Sequence, residues 1–144
     1  MDHVKRAQEL FLQKYNCAQA VACAFCDKAG LDQDAMARAS SSFGGGMGGL
    51  GEVCGAMSGA LLVLGLVRGY ADPEDPEAKK AHYERVKAFG ERFREAGGAL
   101  RCKELLEGTV PRGMTPEEGA QKGLKPRPCP QLVAQAAAIL EDLL

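Results

Sequence analysis

The 144-residue chain has no tryptophan, only 6% aromatic residues and two histidines. So few rings leave no platform on which nucleic-acid bases could stack. Neither sign of charge is in excess: the net charge is −1 and the pI near 6.1. That balance removes the electrostatic basis for binding nucleic acid or a membrane surface. The β-branched and aromatic residues that favour strands are scarce. The longest apolar stretch, Val53 to Val67, has only Ser58 as a polar member and ends between Glu52 and Arg68. It is too short to span a bilayer and reads as a buried core helix. The amino-terminal stretch MDHVKRAQELFLQKYN is charged and amphipathic, without the apolar segment and cleavage site of a signal peptide, so a cytoplasmic location is expected. A Ser-His-Asp arrangement, a clustered carboxylate pair and a phosphate loop are all missing, so hydrolase and kinase chemistry have no residues to rest on.

Alanine, eighteen glycines and six cysteines are what the chain does have. Abundant small residues point to closely packed helices. The length suits one domain that buries its own core. The expectation is an all-α, single-domain helical bundle of about five to six helices, with a glycine-rich loop before the central helix. In the reducing cytoplasm, six cysteines read as catalytic, redox or metal-binding groups more readily than as structural bridges.

Local signals place the helices. Asp2 can cap a first helix over 2–14, with Val4, Ala7, Leu10 and Phe11 on one face. Asn16 can cap a second from Cys17 to about Ala29, closed by Gly30. Asp32 can cap a third to about Ser41. The glycines at 44, 45, 46, 48, 49 and 51 then form a loop that leads into a helix over about 53–70. On that helix Gly55, Ser58, Gly59 and Ala60 make one side nearly flat, open to the close approach of another backbone. Such a face also makes a homodimer conceivable. Residues 77–96 form a long amphipathic helix with Ala78, His82, Val86, Phe89, Phe93 and Ala96 on its apolar stripe. His82 reads as a core or rim residue rather than a ligand. A short helix starts near Cys102. Residues 108–128 read as a loop with one turn capped by Thr115, and Cys129-Pro130 opens the terminal helix.

Four cysteines share a placement. Cys17, Cys54, Cys102 and Cys129 all fall at or near predicted helix starts, where free N–H groups and the helix dipole favour a thiolate. Cys54 adds a glycine-lined approach and is expected to be the reactive thiolate. Cys23-Ala24-Phe25-Cys26 spells C-x-x-C, but it sits in mid-helix with no preceding strand, and no histidine follows it for haem attachment. Gly46-Met47-Gly48-Gly49-Leu50-Gly51 spells G-x-G-x-x-G without the βαβ unit that a dinucleotide site needs. Those glycines instead permit positive φ angles and close packing beside Cys54.

The ordered pattern Asn16-Cys17-Ala18-Gln19-Ala20-Val21, Gly51-Glu52-Val53-Cys54-Gly55-Ala56-Met57-Ser58-Gly59-Ala60, Cys102-Lys103-Glu104-Leu105-Leu106 and Cys129 resembles the C_GCAxxG_C_C family. These are small proteins assigned a redox role from four cysteines and a central glycine motif. The resemblance runs from about Tyr15 into the terminal helix. It implies Cys17, Cys54, Cys102 and Cys129 as the working cysteines, with Gly55, Ala56 and Gly59 shaping the motif as candidate cofactor-binding positions. Cys23 and Cys26 lie outside it.

Three functions remain open on the sequence. In the first, a cofactor-free thiol–disulfide oxidoreductase uses Cys54 as nucleophile and Cys102, Cys129 or Cys17 to resolve the mixed disulfide, exchanging with a redox partner protein or a small thiol or disulfide. In the second, the same four cysteines bind zinc or an iron–sulfur cluster, although their separations lack the usual short C-x2-C loops. In the third, a helical partner-binding protein carries incidental cysteines.

Overall fold

The computed structural model describes residues 1–144. It is all-α, as expected. The helices are α1 (His3–Leu12), α2 (Cys17–Ala24), α3 (Cys26–Ala29), α4 (Gln33–Ser40), α5 (Gly44–Met47), α6 (Gly55–Arg68), α7 (Pro76–Gly97), α8 (Cys102–Leu105), α9 (Pro116–Gln121) and α10 (Cys129–Leu143). Six of them, α1, α2, α4, α6, α7 and α10, have eight or more residues and make the bundle. The rest are single turns or little more. Two isolated bridges, Val53 with Arg101 and Thr109 with Lys125, are the nearest approach to a sheet. No helix is long and apolar enough to cross a membrane.

The caps read from the sequence are present. Asp2 accepts from the Lys5 N–H, Asp32 from Ala35 and Thr115 from Glu118. Asn16 and Gln19 form a reciprocal capping box at the start of α2. Each such cap satisfies orphan donors of a first turn and contributes about 1 kcal/mol.

Two stretches depart from expectation. The helix over 17–29 breaks at Phe25, whose φ of −110° and ψ of 20° end α2 and start α3. The Phe25 ring is fully buried and stacks on His3 at 4.3 Å, so core packing overrides the helical continuity that local propensity favours. Along α7 only the carboxy-terminal half meets the core, through Phe89, Gly90 and Phe93. The amino-terminal half projects into solvent, where Tyr83 is exposed and His82 sits half-buried against Tyr70 at the rim.

α2 is the centre of the bundle. It packs against α1, α4, α6 and α10, and its residues from Ala20 to Ala24 are buried with Phe25. Fully buried Phe89, Phe93, Leu10, Met36, Leu64 and Leu140 fill the space around it. Burial of a side chain of this size contributes about 1.5–3 kcal/mol. The small-residue face of α6 is occupied within the chain. A β-carbon on Gly59 would collide with the Ala18 carbonyl of α2, so the two backbones touch there.

Candidate functional site

The site forms where α2 and α6 cross. Cys17 is the first residue of α2 and Cys54 the cap residue of α6. Gly55 keeps them together, because a β-carbon on it would lie 2.5 Å from Cys17 Sγ and 2.7 Å from the Phe43 carbonyl. The Cys54 thiol hydrogen-bonds to the Cys17 sulfur. That bond, aided by the N–H groups of Gly45, Ala18 and Cys17 itself, overrides burial and brings Cys17 down to about 6. Cys54 moves the opposite way, held protonated by the neighbouring Cys17 sulfur and by its burial, against weaker help from the Ala56 and Met57 N–H groups. The pair therefore carries one charge and one proton, with the charge on Cys17.

The glycine loop shapes this pair from the other side. After a 3-10 turn over Ser41–Phe43, the backbone enters the left-handed region at Gly45 (φ 66°) and Gly46 (φ 68°). That turn directs the Gly45 N–H at the Cys17 sulfur. A β-carbon on Gly46 would stand 2.7 Å from both the Glu52 nitrogen and Cys102 Cβ, so only glycine lets α8 dock here. Backbone bonds from Cys102 N to Glu52 O and from Cys54 N to Leu100 O tie the start of α8 beside the start of α6.

Cys102 and Cys129 complete the group, each the first residue of its helix. All four cysteines line one small cavity of about 20 Å³, with Arg112, Arg127 and Leu132 among its other walls. It has room for about one water. Burial raises both outer thiols above their ordinary value. The Cys17 and Cys129 sulfurs add to this at Cys102, while Arg127, which hydrogen-bonds to Cys129, partly offsets it there. An outer cleft of about 420 Å³ opens over the cavity and shares Cys17, Gly45, Arg112, Arg127 and Cys129 with it.

The structure thus brings together the four cysteines read from the sequence, but it revises the role of Cys54. Lying under the α2–α6 crossing, Cys54 is buried and serves as proton-bearing donor, while Cys17 reaches both cavities and carries the charge. Gly55, Ala56 and Gly59 line neither cavity. They set the crossing distance, and Ala56 donates its N–H to Cys54. No three histidine, cysteine, aspartate or glutamate side chains stand close enough to hold one metal ion, so zinc or an iron–sulfur cluster finds no ready ligand set. Cys23 and Cys26 lie elsewhere, hydrogen-bonded to each other. Cys23 is buried against the Gln33 carbonyl and pushed up to about 11, chiefly by that burial.

Arg112 and Arg127 were not legible as site residues. They belong to the proline- and glycine-rich segment 108–128, which folds back on itself through Val110 N to Lys125 O and Lys125 N to Gly108 O. The only trace in the sequence is Arg127 between two prolines, two residues before Cys129. Neither the curated proteins nor the solved structures compared with the chain gives a match. One family model does match, over residues 15–143, with the description "Putative redox-active protein (C_GCAxxG_C_C)", and on that match the chain belongs to the C_GCAxxG_C_C family.

Proposed function

We propose that this protein performs thiol–disulfide exchange through the Cys17–Cys54 pair. The observation that carries the reading is the hydrogen bond between the two thiols, which gives the pair a ready thiolate and a ready proton. Cys17 thiolate attacks one sulfur of a disulfide, the S–S bond breaks, and a mixed disulfide forms on Cys17 as the other sulfur leaves as thiolate. That leaving thiolate takes the proton of Cys54. Cys54 then attacks the Cys17 sulfur, forming an internal disulfide and expelling the second half of the substrate as thiolate. Two electrons pass from the protein thiols to the substrate disulfide. Cys129 and Cys102, which line the same small cavity, are available as further exchange partners.

A reducing compartment such as the cytoplasm suits this role, because reduction of the internal disulfide there restores the starting pair. The partner is a redox protein or a small thiol or disulfide. The experiment is intact mass spectrometry of anaerobically purified protein before and after mild oxidation. The expected result is a loss of two hydrogens, reversed by reductant, with the bond mapped to Cys17 and Cys54 and absent from C17S and C54S. An unchanged mass, or the same loss in both variants, overturns the assignment. A mass excess that matches a metal and disappears on acidification recasts the cysteines as ligands.

A further inference from the structure

The outer cleft carries charge that nothing in the chain neutralises. Arg112 and Arg127 both face it, yet the ion pairs of the structure engage His3, Arg6, Arg38, Arg92 and Arg101 instead. No aspartate or glutamate lines the cleft. Asn16, its other polar side chain, is already committed, accepting from the Gln19 N–H and donating to the Ser41 carbonyl. Arg112 is also seated deliberately. Its Nη2 lies 2.6 Å from where a β-carbon on Gly45 would stand, so the guanidinium rests on bare glycine backbone. The same Gly45 donates its N–H to Cys17, which places Arg112 and the thiolate on two sides of one residue. Phe11 and Pro130 supply an apolar wall.

These features describe a recognition site for a small molecule. The volume falls in the range of small-ligand clefts, with a few placed polar groups against apolar wall. A guanidinium presents a planar fork of donors that matches a carboxylate in two parallel bonds. Two such forks, both without protein partners, select for negative charge. Cys17 lies at the floor, between cleft and inner cavity, where a sulfur carried by the ligand would meet it.

We propose that the outer cleft binds a low-molecular-weight disulfide bearing carboxylates, which Arg112 and Arg127 hold while Cys17 attacks its sulfur. This rests on the dithiol reading above and names its substrate class. The exchange is the balanced one already given: the small disulfide is reduced to two thiols and the protein pair is oxidised to Cys17–Cys54.

The test uses the reduced full-length protein in single-turnover stopped flow with three probes: glutathione disulfide, which is anionic, 2-hydroxyethyl disulfide, which is neutral, and cystamine, which is cationic. Each rate is divided by that of a free small thiol with the same probe, which removes intrinsic reactivity. The expected result is a normalised preference for glutathione disulfide over 2-hydroxyethyl disulfide of at least tenfold, weaker at high salt, with cystamine slowest. In R112Q/R127Q the ratio falls to near one. Calorimetry with S-methylglutathione, which has no disulfide, reads binding by itself, and the double variant should lose at least tenfold in affinity. Equal normalised rates for all three probes without binding of S-methylglutathione overturn the cleft assignment and leave dithiol exchange standing. Arginine-dependent binding with no reaction toward any disulfide keeps the anion site, removes its role in exchange and overturns the dithiol reading. A preference that persists in R112Q/R127Q also overturns the assignment, because selection then comes from elsewhere.

Discussion

Cys17 Sγ lies 2.5 Å from the point at which a side chain would begin on Gly55, the residue immediately after Cys54. The contact between the two thiols therefore depends on a missing methyl group as much as on either cysteine. Gly59, one turn further along α6, does the same against the Ala18 backbone. Sulfur chemistry and helix packing are one arrangement here.

G55A should consequently affect both. The added carbon meets Cys17 Sγ and the Phe43 carbonyl, and the backbone cannot yield as a flexible side-chain tip could. A loss of about 1–3 kcal/mol is expected from overpacking. Urea denaturation of reduced protein checks it, and a midpoint equal to wild type would show that the crossing is looser than described.

Cys17 should be alkylated along a titration curve centred at about 6, the value set mainly by the Cys54 hydrogen bond. C54A removes that donor, and losing a bond that favours the charged form moves the curve upward. Iodoacetamide rates across pH, with the modified residue identified by peptide mapping, report the shift. A C54A curve superimposable on wild type would mean that backbone N–H groups alone hold the thiolate.

Stability should depend on pH through the same pair. Unfolded, both thiols titrate near their ordinary value of 9.0; folded, Cys17 titrates at about 6 and Cys54 well above 9. Between about 6 and 9 the unfolded chain binds more protons than the folded one, so stability rises with pH over that window. Above 9 the folded state retains the Cys54 proton that the unfolded chain has released, and the contribution falls again. Anaerobic melting of wild type against C17A/C54A should give a stability difference that peaks near pH 9. A flat difference would exclude a shared proton.

The two halves of α7 should respond unequally. F89A empties a fully buried site and should cost about 3–5 kcal/mol. Y83A acts on an exposed ring, where about 0.5 kcal/mol is expected. Comparable losses in the two variants would place the amino-terminal half of the helix against a surface that the monomer does not provide.

The helices and the four helix-start cysteines were legible because their signals are local. Asp2, Asn16, Asp32 and Thr115 advertise caps within three residues of the groups they satisfy, and apolar spacing marks α1 and α10. The break at Phe25 was not legible, since it answers to His3 and the core rather than to its neighbours. The amphipathic pattern of α7 continues past Val86 toward Ala78 although the bundle ends sooner. Cys54 looked like the thiolate because a helix start favours charge. Cys17 occupies a helix start as well, and the choice between them follows from burial and from the Gly45 N–H, both products of tertiary packing. Arg112 and Arg127 were hidden for a related reason: a loop of prolines and glycines does not announce which way it folds back.

The dependence on residues far apart in the chain has a consequence for how the protein is born. Cys17 and Cys54 lie on α2 and α6, early in the order of synthesis, whereas Arg112, Arg127 and Cys129 follow α7. A nascent chain can close the α2–α6 crossing while the later segments are still in the ribosome. For that interval it holds an activated sulfur without the charged rim that would choose its reactant. The newborn protein is thus less discriminating than the finished one, and arrival of the last segments converts a general scavenger of oxidised sulfur into a selective one.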